Sequence, residues 1–249
     1  MDKIFSKILI TVIVCIIIGG ALVCQLGWAQ KDETAKCSPI DFPNYEIAKD
    51  DWGGRKGAAL ELQVDLNGDK EEETIRVYRE PKEECERIKP IMVKIFSGTD
   101  DCPKEVFTYY GMGNETGKVE TFWNFWGDRS NVVLVEDISY ACGSGSSVRL
   151  RFFVYRNGKY LVAEGPLLGG FWKYKLDGGD SGLGKRIIAA YNVFEEGDCG
   201  TCAQKMQLEI YNWDGKKYVK RKAGLTQGKY FSESINEIIQ KEPFVLNLK

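Results

Sequence analysis

Hydrophobic and polar residues alternate with a period of two along much of the chain. Residues 60–66, 148–154 and 206–210 follow this pattern, and Arg151 and Glu209 occupy polar positions within the last two stretches. A period of two places every second side chain on the same face of a β-strand. These stretches therefore predict antiparallel strands with one face buried and the polar face in solvent.

Two turn sequences predict β-hairpins. Asn157-Gly158 and Asp214-Gly215 each lie between an aromatic residue and a tyrosine, within residues 155–160 and 213–218. Both central residues of a type I′ turn need positive φ, which Asn, Asp and Gly tolerate. Each sequence is therefore typical of a hairpin.

These hairpins end two units of an internal repeat. Phe122-Trp123 begins one unit and Phe171-Trp172 the next, and each unit continues through an apolar strand, at residues 132–135 and 187–190. A first, more divergent unit covers residues 58–110. Three to four strands in about 50 residues are typical of propeller blades. The sequence therefore predicts an all-β fold of three antiparallel, propeller-like units.

One short helix is predicted near the C-terminus. Ser234 and Glu237 have the spacing of a capping box. Ile235, Ile238 and Ile239 give this segment one apolar face. We expect the helix to cover an otherwise exposed sheet.

The N-terminus has the order of a secretory signal. Lys3 and Lys7 precede an apolar run at residues 8–24, and Gly27 and Ala29 supply the small residues of a cleavage site. Residues 1–29 are therefore predicted to be a signal peptide, and residues 30–249 a single propeller-like domain.

Two other interpretations of the N-terminus stay open. About 17 apolar residues reach the lower limit for spanning a bilayer, so an uncleaved membrane anchor is the alternative to cleavage before Gln30. Lipidation of Cys24 is a third route, although Val23 is larger than the residue that usually precedes it. All three routes place the domain outside the cytoplasm, in a periplasm or extracellular space, and the membrane is a partner only through this segment.

Six cysteines lie beyond the predicted signal: Cys37, Cys85, Cys102, Cys142, Cys199 and Cys202. An even number in an exported chain predicts disulfides. We expect Cys85 to pair with Cys102 and Cys199 with Cys202, which leaves Cys37 for Cys142. The alternative for Cys199 and Cys202 is a redox motif, but the acidic neighbours Glu195, Glu196 and Asp198 raise a thiol pKa and disfavour it.

Composition excludes several classes of function. The net charge of −2 and the lack of a long basic run argue against nucleic acid as a partner. The chain contains no histidine, which removes Ser-His-Asp and Cys-His catalysis and histidine-bound zinc. Residues 179–182, Gly-Asp-Ser-Gly, resemble the nucleophile loop of a serine protease. Because no histidine base is present, they are interpreted as a glycine-rich turn. Glu136-Asp137 and Glu195-Glu196 are the acidic pairs that would serve glycoside hydrolysis.

An acidic loop between two predicted strands carries calcium-binding chemistry. Asp65, Asn67, Asp69 and Glu73 stand at positions 1, 3, 5 and 9 of the loop, and the Glu71 carbonyl is available at position 7. Calcium prefers oxygens of carboxylates, amides and carbonyls on a tightly curled loop. The alternative is a solvated acidic hairpin turn.

Residues 65–73, Asp-Leu-Asn-Gly-Asp-Lys-Glu-Glu-Glu, resemble the calcium loop of FG-GAP/VCBS repeats, found in integrin-type propellers and many exported bacterial proteins. The resemblance implies a propeller with structural calcium. The chain departs from the family at Lys70, where the family usually has glycine. A non-glycine residue in a left-handed conformation costs about 1 to 2 kcal/mol, so the departure predicts weaker metal binding.

Several aromatic residues either pack in the core or form a sugar- or peptide-binding surface. They are Trp123, Trp126, Trp172, Trp213, Tyr109 and Tyr110. Because they lie on repeat strands, core packing is the favoured interpretation.

The leading functional hypothesis is an exported, non-catalytic binding or scaffold module with a structural calcium loop. Its partner is expected to be another protein or an envelope glycan. The first alternative is an envelope inhibitor of a secreted or cell-wall hydrolase that presents a protruding loop, at residues 143–147 or 197–202. The second is a carbohydrate-active enzyme with paired carboxylates.

Overall fold

A computed structural model describes most of the chain from residue 37 onward. The described residues are 37–38, 45–48, 60–79, 91–99, 101–111, 113, 115–140, 146–178, 184–199 and 202–243. The chain divides into two compact units, Met1–Ser38 and Pro39–Lys249, and every described strand and helix lies in the second. The predicted signal peptide lies outside the described residues.

The described strands form three antiparallel sheets. Sheet 1 contains β1 (Glu46–Ile47), β2 (Glu61–Val64), β3 (Glu73–Arg79), β4 (Met92–Ser97) and β5 (Lys104–Tyr110). Sheet 2 contains β6 (Glu115–Trp123), β7 (Asn131–Tyr140), β8 (Ser146–Arg156) and β9 (Lys159–Gly169). Sheet 3 contains β10 (Lys173–Asp177), β11 (Arg186–Val193), β12 (Gln204–Trp213) and β13 (Tyr218–Tyr230).

Each sheet is a meander of four antiparallel rows. In sheets 2 and 3 the four strands pair in chain order. In sheet 1, β1 and β2 both pair with β3, at Ile47 opposite Tyr78 and at Val64 opposite Glu73, so together they form one edge row. The predicted all-β, antiparallel fold with three units is confirmed at this level. The arrangement of the sheets as propeller blades stays a prediction.

Sheet 2 is covered on both faces. Val132 and Leu134 of β7 belong to a core shared with Ile187 of sheet 3, whereas Val133 and Val135 belong to a core shared with sheet 1. Successive residues of a strand point to opposite faces. The same strand therefore contributes to two hydrophobic cores, one on each side.

The prediction that Arg151 and Glu209 face solvent is wrong. Arg151 of β8 and Glu209 of β12 are each only 2% exposed. Arg151 pairs with Val135, on the face that sheet 1 covers, and Glu209 pairs with Ala189, on the face toward sheet 2. Both side chains are buried because a neighbouring sheet covers the face that the sequence pattern assigned to water.

Both predicted hairpins are present, but their turns differ. Asn157 and Gly158 have φ of 51° and 76°, as a type I′ turn requires. The second hairpin has a four-residue loop between β12 and β13, in which only Gly215 has positive φ. There the Asp214 side chain accepts the N–H groups of Lys216 and Lys217, both at 2.8 Å.

The two Phe-Trp pairs do not occupy equivalent positions. Phe122 pairs with Val132 at the end of β6, and the residue that pairs with the matching Ile187 is Leu176. Phe171 and Trp172 instead precede β10. The two units therefore correspond from the apolar strand through the hairpin. The two Phe-Trp pairs, which were predicted to begin the units, do not correspond to each other.

The C-terminal helix α1 (Ile235–Lys241) forms as predicted. The Ser234 side chain accepts the N–H of Glu237, and the Glu237 side chain accepts the N–H of Ser234, which completes the capping box. Ile235 and Ile238 are buried in a core with sheet 3. The helix therefore covers one face of that sheet, as the sequence predicts.

No helix within the described ranges is both long and apolar enough to cross a membrane.

Candidate functional site

The acidic loop, residues 65–72, connects β2 to β3 and contacts sheet 2. Asn131, at the start of β7, donates its side-chain amide to the carbonyl of Asp65 at 2.7 Å. Gly68 and Lys70 have positive φ of 82° and 77°. Lys70 therefore adopts the left-handed conformation that made glycine the expected residue at this position.

The side chains of the acidic loop turn inward onto its own backbone. Asp65 accepts the N–H of Gly68 at 2.6 Å and that of Lys70 at 3.0 Å. Asn67 accepts the N–H of Asp69 at 2.8 Å and donates its amide to the Asp69 carboxylate at 2.9 Å. The structure thus places the side chains of Asp65, Asn67 and Asp69 on the backbone of one loop.

Glu71 and Glu73, the other two residues predicted to bind calcium, differ from these three in their burial and contacts. The Glu71 side chain is exposed, and its N–H donates to Asp69 at 2.8 Å. Glu73 is 1% exposed and accepts the N–H of Leu66 at 2.7 Å and the hydroxyl of Tyr160 at 2.6 Å. Burial raises the pKa of Tyr160 and the Glu73 carboxylate raises it further, so the phenol stays a donor. Glu73 therefore links sheet 1 to β9.

The donor set of the acidic loop suits a hard cation. Two carboxylates, the Asn67 amide oxygen and the Glu71 carbonyl are the available oxygens, whereas calcium takes about six to eight. Water would supply the remaining ligands. In the part of the chain that the structure describes, no three Asp, Glu, Cys or His side chains are arranged to hold a metal ion.

A disulfide lies within the loop between β11 and β12. Cys199 and Cys202 are bonded, with their Cα atoms 5.2 Å apart, as the sequence predicts. The carbonyl of Cys199 accepts the Gln204 amide at 2.8 Å, and Asp198 binds Lys229 at 2.6 Å. This loop is therefore held by covalent and polar contacts at both ends.

Cys37 and Cys102 each take part in a disulfide as well. Cys85 and Cys142 lie outside the described residues, so the predicted partners of these four cysteines stay a prediction. Disulfides indicate an oxidising environment of the kind that exported proteins meet.

The acidic pair Glu136-Asp137 does not face one space. Glu136 accepts the hydroxyl of Tyr174 in sheet 3 at 2.5 Å, whereas Asp137 accepts the N–H of Gly113 at 2.7 Å on the opposite face. Neighbouring residues on a strand point in opposite directions. The two carboxylates therefore cannot flank one glycosidic bond.

The second acidic pair is on the surface. Glu195 and Glu196 are exposed, and Glu195 binds Lys205 at 2.8 Å. The Gly-Asp-Ser-Gly stretch at residues 179–182 lies outside the described residues.

An inter-sheet cleft opens where β6 and β7 of sheet 2 meet β10 of sheet 3. Its volume is about 430 Å³. Eight residues line it: Lys118, Glu120, Phe122, Glu136, Trp172, Lys173, Tyr174 and Leu176. The cleft therefore combines aromatic and aliphatic groups with the carboxylates of Glu120 and Glu136 and the ammonium of Lys118.

Glu136 is held in position on the wall of this cleft. A β-bulge interrupts β6 between Thr116 and Val119, and a Cβ placed on Gly117 within it would lie 2.3 Å from Oε2 of Glu136. Only glycine leaves room for the carboxylate there. Burial raises the pKa of Tyr174, and Glu136 raises it further, so the tyrosine remains a hydrogen-bond donor to Glu136.

The two lysines among the lining residues also have partners. Lys118 binds Glu120 at 2.7 Å, with both side chains about 40% exposed. The Lys173 side chain extends to the other face of β10, where it donates to the carbonyls of Phe231, at 2.8 Å, and Glu233. Burial lowers the pKa of Lys173 although nearby Glu233 opposes that shift.

Most of the six aromatic residues that were candidates for either the core or a binding surface pack in the interior. Trp126 and Trp213 stack with ring centroids 4.3 Å apart and planes 11° apart. Trp126 donates its indole N–H to Tyr218 at 2.9 Å, and Arg156 lies over its ring at 4.6 Å. These residues hold sheets 2 and 3 together.

The other aromatic residues divide between interior and surface. Tyr109 contacts Phe153 edge-on at 5.6 Å, and Trp172 lines the inter-sheet cleft. Trp123 and Tyr110 are 66% and 62% exposed. A shared surface of all six residues therefore does not form.

Sequence reasoning identified Glu136 and Trp172 separately but did not place them in one site. Lys118 and Glu120 flank Val119 on β6, and Lys173 begins β10, so all three look like ordinary surface charges. The one signal of the site was Gly117 within a strand, because an isolated strand glycine often marks a bulge or a close approach.

Comparison of the chain with protein-family models, with curated proteins and with solved structures gave no match in any of the three.

Proposed function

We propose that this chain is an exported, non-catalytic binding module whose three sheets are arranged as FG-GAP-type propeller blades and whose acidic loop holds a structural calcium ion. The observation that carries the proposal is the inward convergence of Asp65, Asn67 and Asp69 on a loop bound to the next sheet. The periplasm or the extracellular space is the proposed compartment, and a partner there is an envelope glycan or another protein.

Calcium at this loop would act on stability. Asp65 and Asp69 place two carboxylates on the same short loop, and an ion bound between them would offset their mutual repulsion. The loop backbone accepts Asn131 of sheet 2, and Glu73 at its end accepts Tyr160 of the same sheet. Fixing the loop would therefore stiffen the joint between sheets 1 and 2. A loop filled by its own side chains leaves little room to activate a substrate.

The inter-sheet cleft is the proposed binding site. Its two carboxylates are hydrogen-bonded or ion-paired, Glu136 to Tyr174 and Glu120 to Lys118. A glycosidase needs one protonated and one ionised carboxyl group across the scissile bond. Carboxylates held in these contacts act as fixed acceptors for a ligand, which favours binding over hydrolysis.

Calcium-dependent melting tests the structural part of the proposal. Binding to the native state alone stabilises it by about 2.7 kcal/mol at a hundredfold excess over Kd. The melting temperature of the purified protein should therefore rise with calcium, rise less with magnesium, and fall with chelator. Asp65→Ala with Asp69→Ala should remove the calcium response and leave the chelator-treated fold intact.

Glu71→Ala with Glu72→Ala is the matched control, because it also removes two charges and both side chains are exposed. This variant keeps the Glu71 carbonyl and should keep the calcium response. A wild-type melting curve indifferent to millimolar calcium would leave the loop as an acidic hairpin turn and overturn the calcium part of the proposal.

Inhibition of a secreted or cell-wall hydrolase is the second candidate function. Phe194 is 48% exposed beside the loop that contains the Cys199–Cys202 disulfide. A loop rigid before binding loses less entropy in a complex. An inhibitor should retain one hydrolase stoichiometrically from an envelope extract, and Phe194→Ala should release it. Retention unaffected by this change would exclude the loop as the inhibitory element.

A further inference from the structure

The inter-sheet cleft has the size and position of a ligand site. Its volume of about 430 Å³ lies within the range of about 300 to 1,000 Å³ that small-molecule sites occupy. It lies between β6 and β10, the edge strands of sheets 2 and 3. A ligand can therefore reach it without separating the sheets.

One part of the lining is apolar. Phe122, Trp172 and Leu176 line the cleft and also pack against the core shared by sheets 2 and 3. Their positions are thus fixed by the core behind them. Rigid aromatic side chains offer a large contact area at a low entropic cost.

The other part of the lining is polar. Glu120 is paired with Lys118, and Glu136 accepts the Tyr174 hydroxyl. The ammonium of Lys173 lies on the other face of β10, with the carbonyls of Phe231 and Glu233. The acidic charge that remains disfavours an anion. A cation would lose hydration to reach carboxylates that already have partners, so it gains little over a neutral ligand.

Glu136 is a hydrogen-bond acceptor that is held in position before a ligand binds. The Gly117 bulge leaves room for its carboxylate, and Tyr174 fixes it from the opposite sheet. Hydrogen bonds to an ionised acceptor are shorter and stronger than neutral ones. The ligand that fits must therefore present hydroxyl or amide donors to acids while it presents an apolar face to aromatic rings.

We propose that the inter-sheet cleft binds a neutral sugar unit, with its C–H face against Trp172 and Phe122 and its hydroxyls donating to Glu120 and Glu136. A pyranose ring has apolar C–H groups on its faces and hydroxyls around its edge, which is the distribution the cleft requires. This inference deepens the proposed function and rests on the cleft being its binding site.

Saturation-transfer NMR on the full exported protein tests the proposal. The probes are glucose and N-acetylglucosamine as neutral sugars, glucuronate as the anion, and glucosamine at pH 6 as the cation. A single sugar of this size should bind with a Kd on the order of 1 mM. Transfer to at least one neutral sugar should exceed transfer to its charged analogues, and no sugar should be consumed.

Two variants test whether the sugar binds in the inter-sheet cleft. Glu120→Gln preserves shape and disturbs only an exposed ion pair, so the protein should stay folded while the neutral sugar binds about tenfold more weakly. Trp172→Ala should abolish binding. The matched control is Trp123→Ala, which removes a 66% exposed tryptophan outside the cleft and should leave Kd unchanged.

Three results would overturn the inference: no transfer to either neutral sugar, stronger transfer to a charged analogue, or neutral-sugar binding that Glu120→Gln leaves unchanged. Each is separable from failure of the structural proposal. The calcium response depends on the acidic loop, which shares no residue with the cleft, and it is read by melting temperature without any sugar present.

Discussion

Arg151 and Asp137 form a buried ion pair on neighbouring strands of sheet 2, with Nε 3.3 Å from Oδ2 and side chains 3% and 2% exposed. Both face sheet 1, where the ring of Tyr109 lies 5.2 Å from the guanidinium. Glu164 also accepts from Arg151, and Gly113 donates to Asp137. The pair therefore fixes how sheets 1 and 2 meet.

Removing either member of this pair alone should be strongly destabilising, and removing both should cost less than the two single changes added together. Arg151→Met leaves the Asp137 carboxylate buried without its cation and should lower the free energy of unfolding by about 3 to 5 kcal/mol. Arg151→Met with Asp137→Asn should lose less than the sum of Arg151→Met and Asp137→Asn measured separately. Urea unfolding of these three variants measures the difference.

Arg149→Met is the matched control, because Arg149 lies on the same strand and binds the more exposed Glu164 at 3.1 Å. It should cost less than about 1 kcal/mol. Equal costs for Arg149→Met and Arg151→Met would contradict a specific role for the buried pair.

Lys70→Gly should stabilise the protein. Lys70 has φ of 77°, a conformation that costs a residue with a Cβ about 1 to 2 kcal/mol, and the flexibility of glycine in the unfolded chain offsets part of this. The expected gain is up to about 1 kcal/mol in chemical denaturation. Glu72→Gly, at an exposed neighbour without positive φ, should instead destabilise; a loss for both would contradict strain at Lys70.

Gly184→Ala should be destabilising because the space for a side chain is already filled. A Cβ there would lie 2.0 Å from the ring of Phe125, which is fully buried. Overpacking of this kind costs about 1 to 3 kcal/mol. Gly169→Ala is the control, since a Cβ there meets nothing within 4 Å and its change should stay within about 0.5 kcal/mol. Similar denaturation midpoints for the two variants would refute the steric argument.

Docking of helix α1 should weaken in acid through Glu242. Burial alone would raise the pKa of Glu242, but the N–H of Gly228 and the hydroxyl of Tyr230 outweigh it and lower this pKa below its ordinary value of 4.5. A depressed folded-state pKa stabilises above pH 4.5 and loses that contribution as the pH falls through the folded value.

The comparison of wild type with Glu242→Gln tests this dependence. The variant should be less stable by about 1 to 3 kcal/mol at pH 7, and the gap should narrow as unfolding is measured down to pH 3. A gap that is independent of pH would assign the loss to packing rather than to the ionised carboxylate.

The exported protein should contain no free thiols. Cys199 and Cys202 are bonded to each other, and Cys37 and Cys102 each take part in a disulfide. Thiol titration in denaturant without reductant should therefore detect none in a chain that begins at Gln30. Two reactive thiols together with an intact N-terminus would indicate retention of Cys15 and Cys24 instead. Two in a chain that begins at Gln30 would refute the three-bridge scheme.

Local patterns in the sequence were sufficient for the elements of this fold. The alternation of residues 60–66, the Asn157-Gly158 turn and the Ser234–Glu237 capping box each depend on residues a few positions apart. Interactions over that distance are set by backbone geometry, which the residue types themselves select. The curled acidic loop and the Cys199–Cys202 bridge were predictable for the same reason.

Tertiary structure alone decided which polar residues are buried and where a ligand site opens. Arg151 and Glu209 follow the same alternation as exposed residues, and only a second sheet over their face removes them from water. Glu136 and Trp172 meet in one cleft because sheets 2 and 3 pack face to face. A strand's own sequence records which side chains share a face, but what covers that face depends on residues far away in the chain, and so does the free energy of each charge placed there.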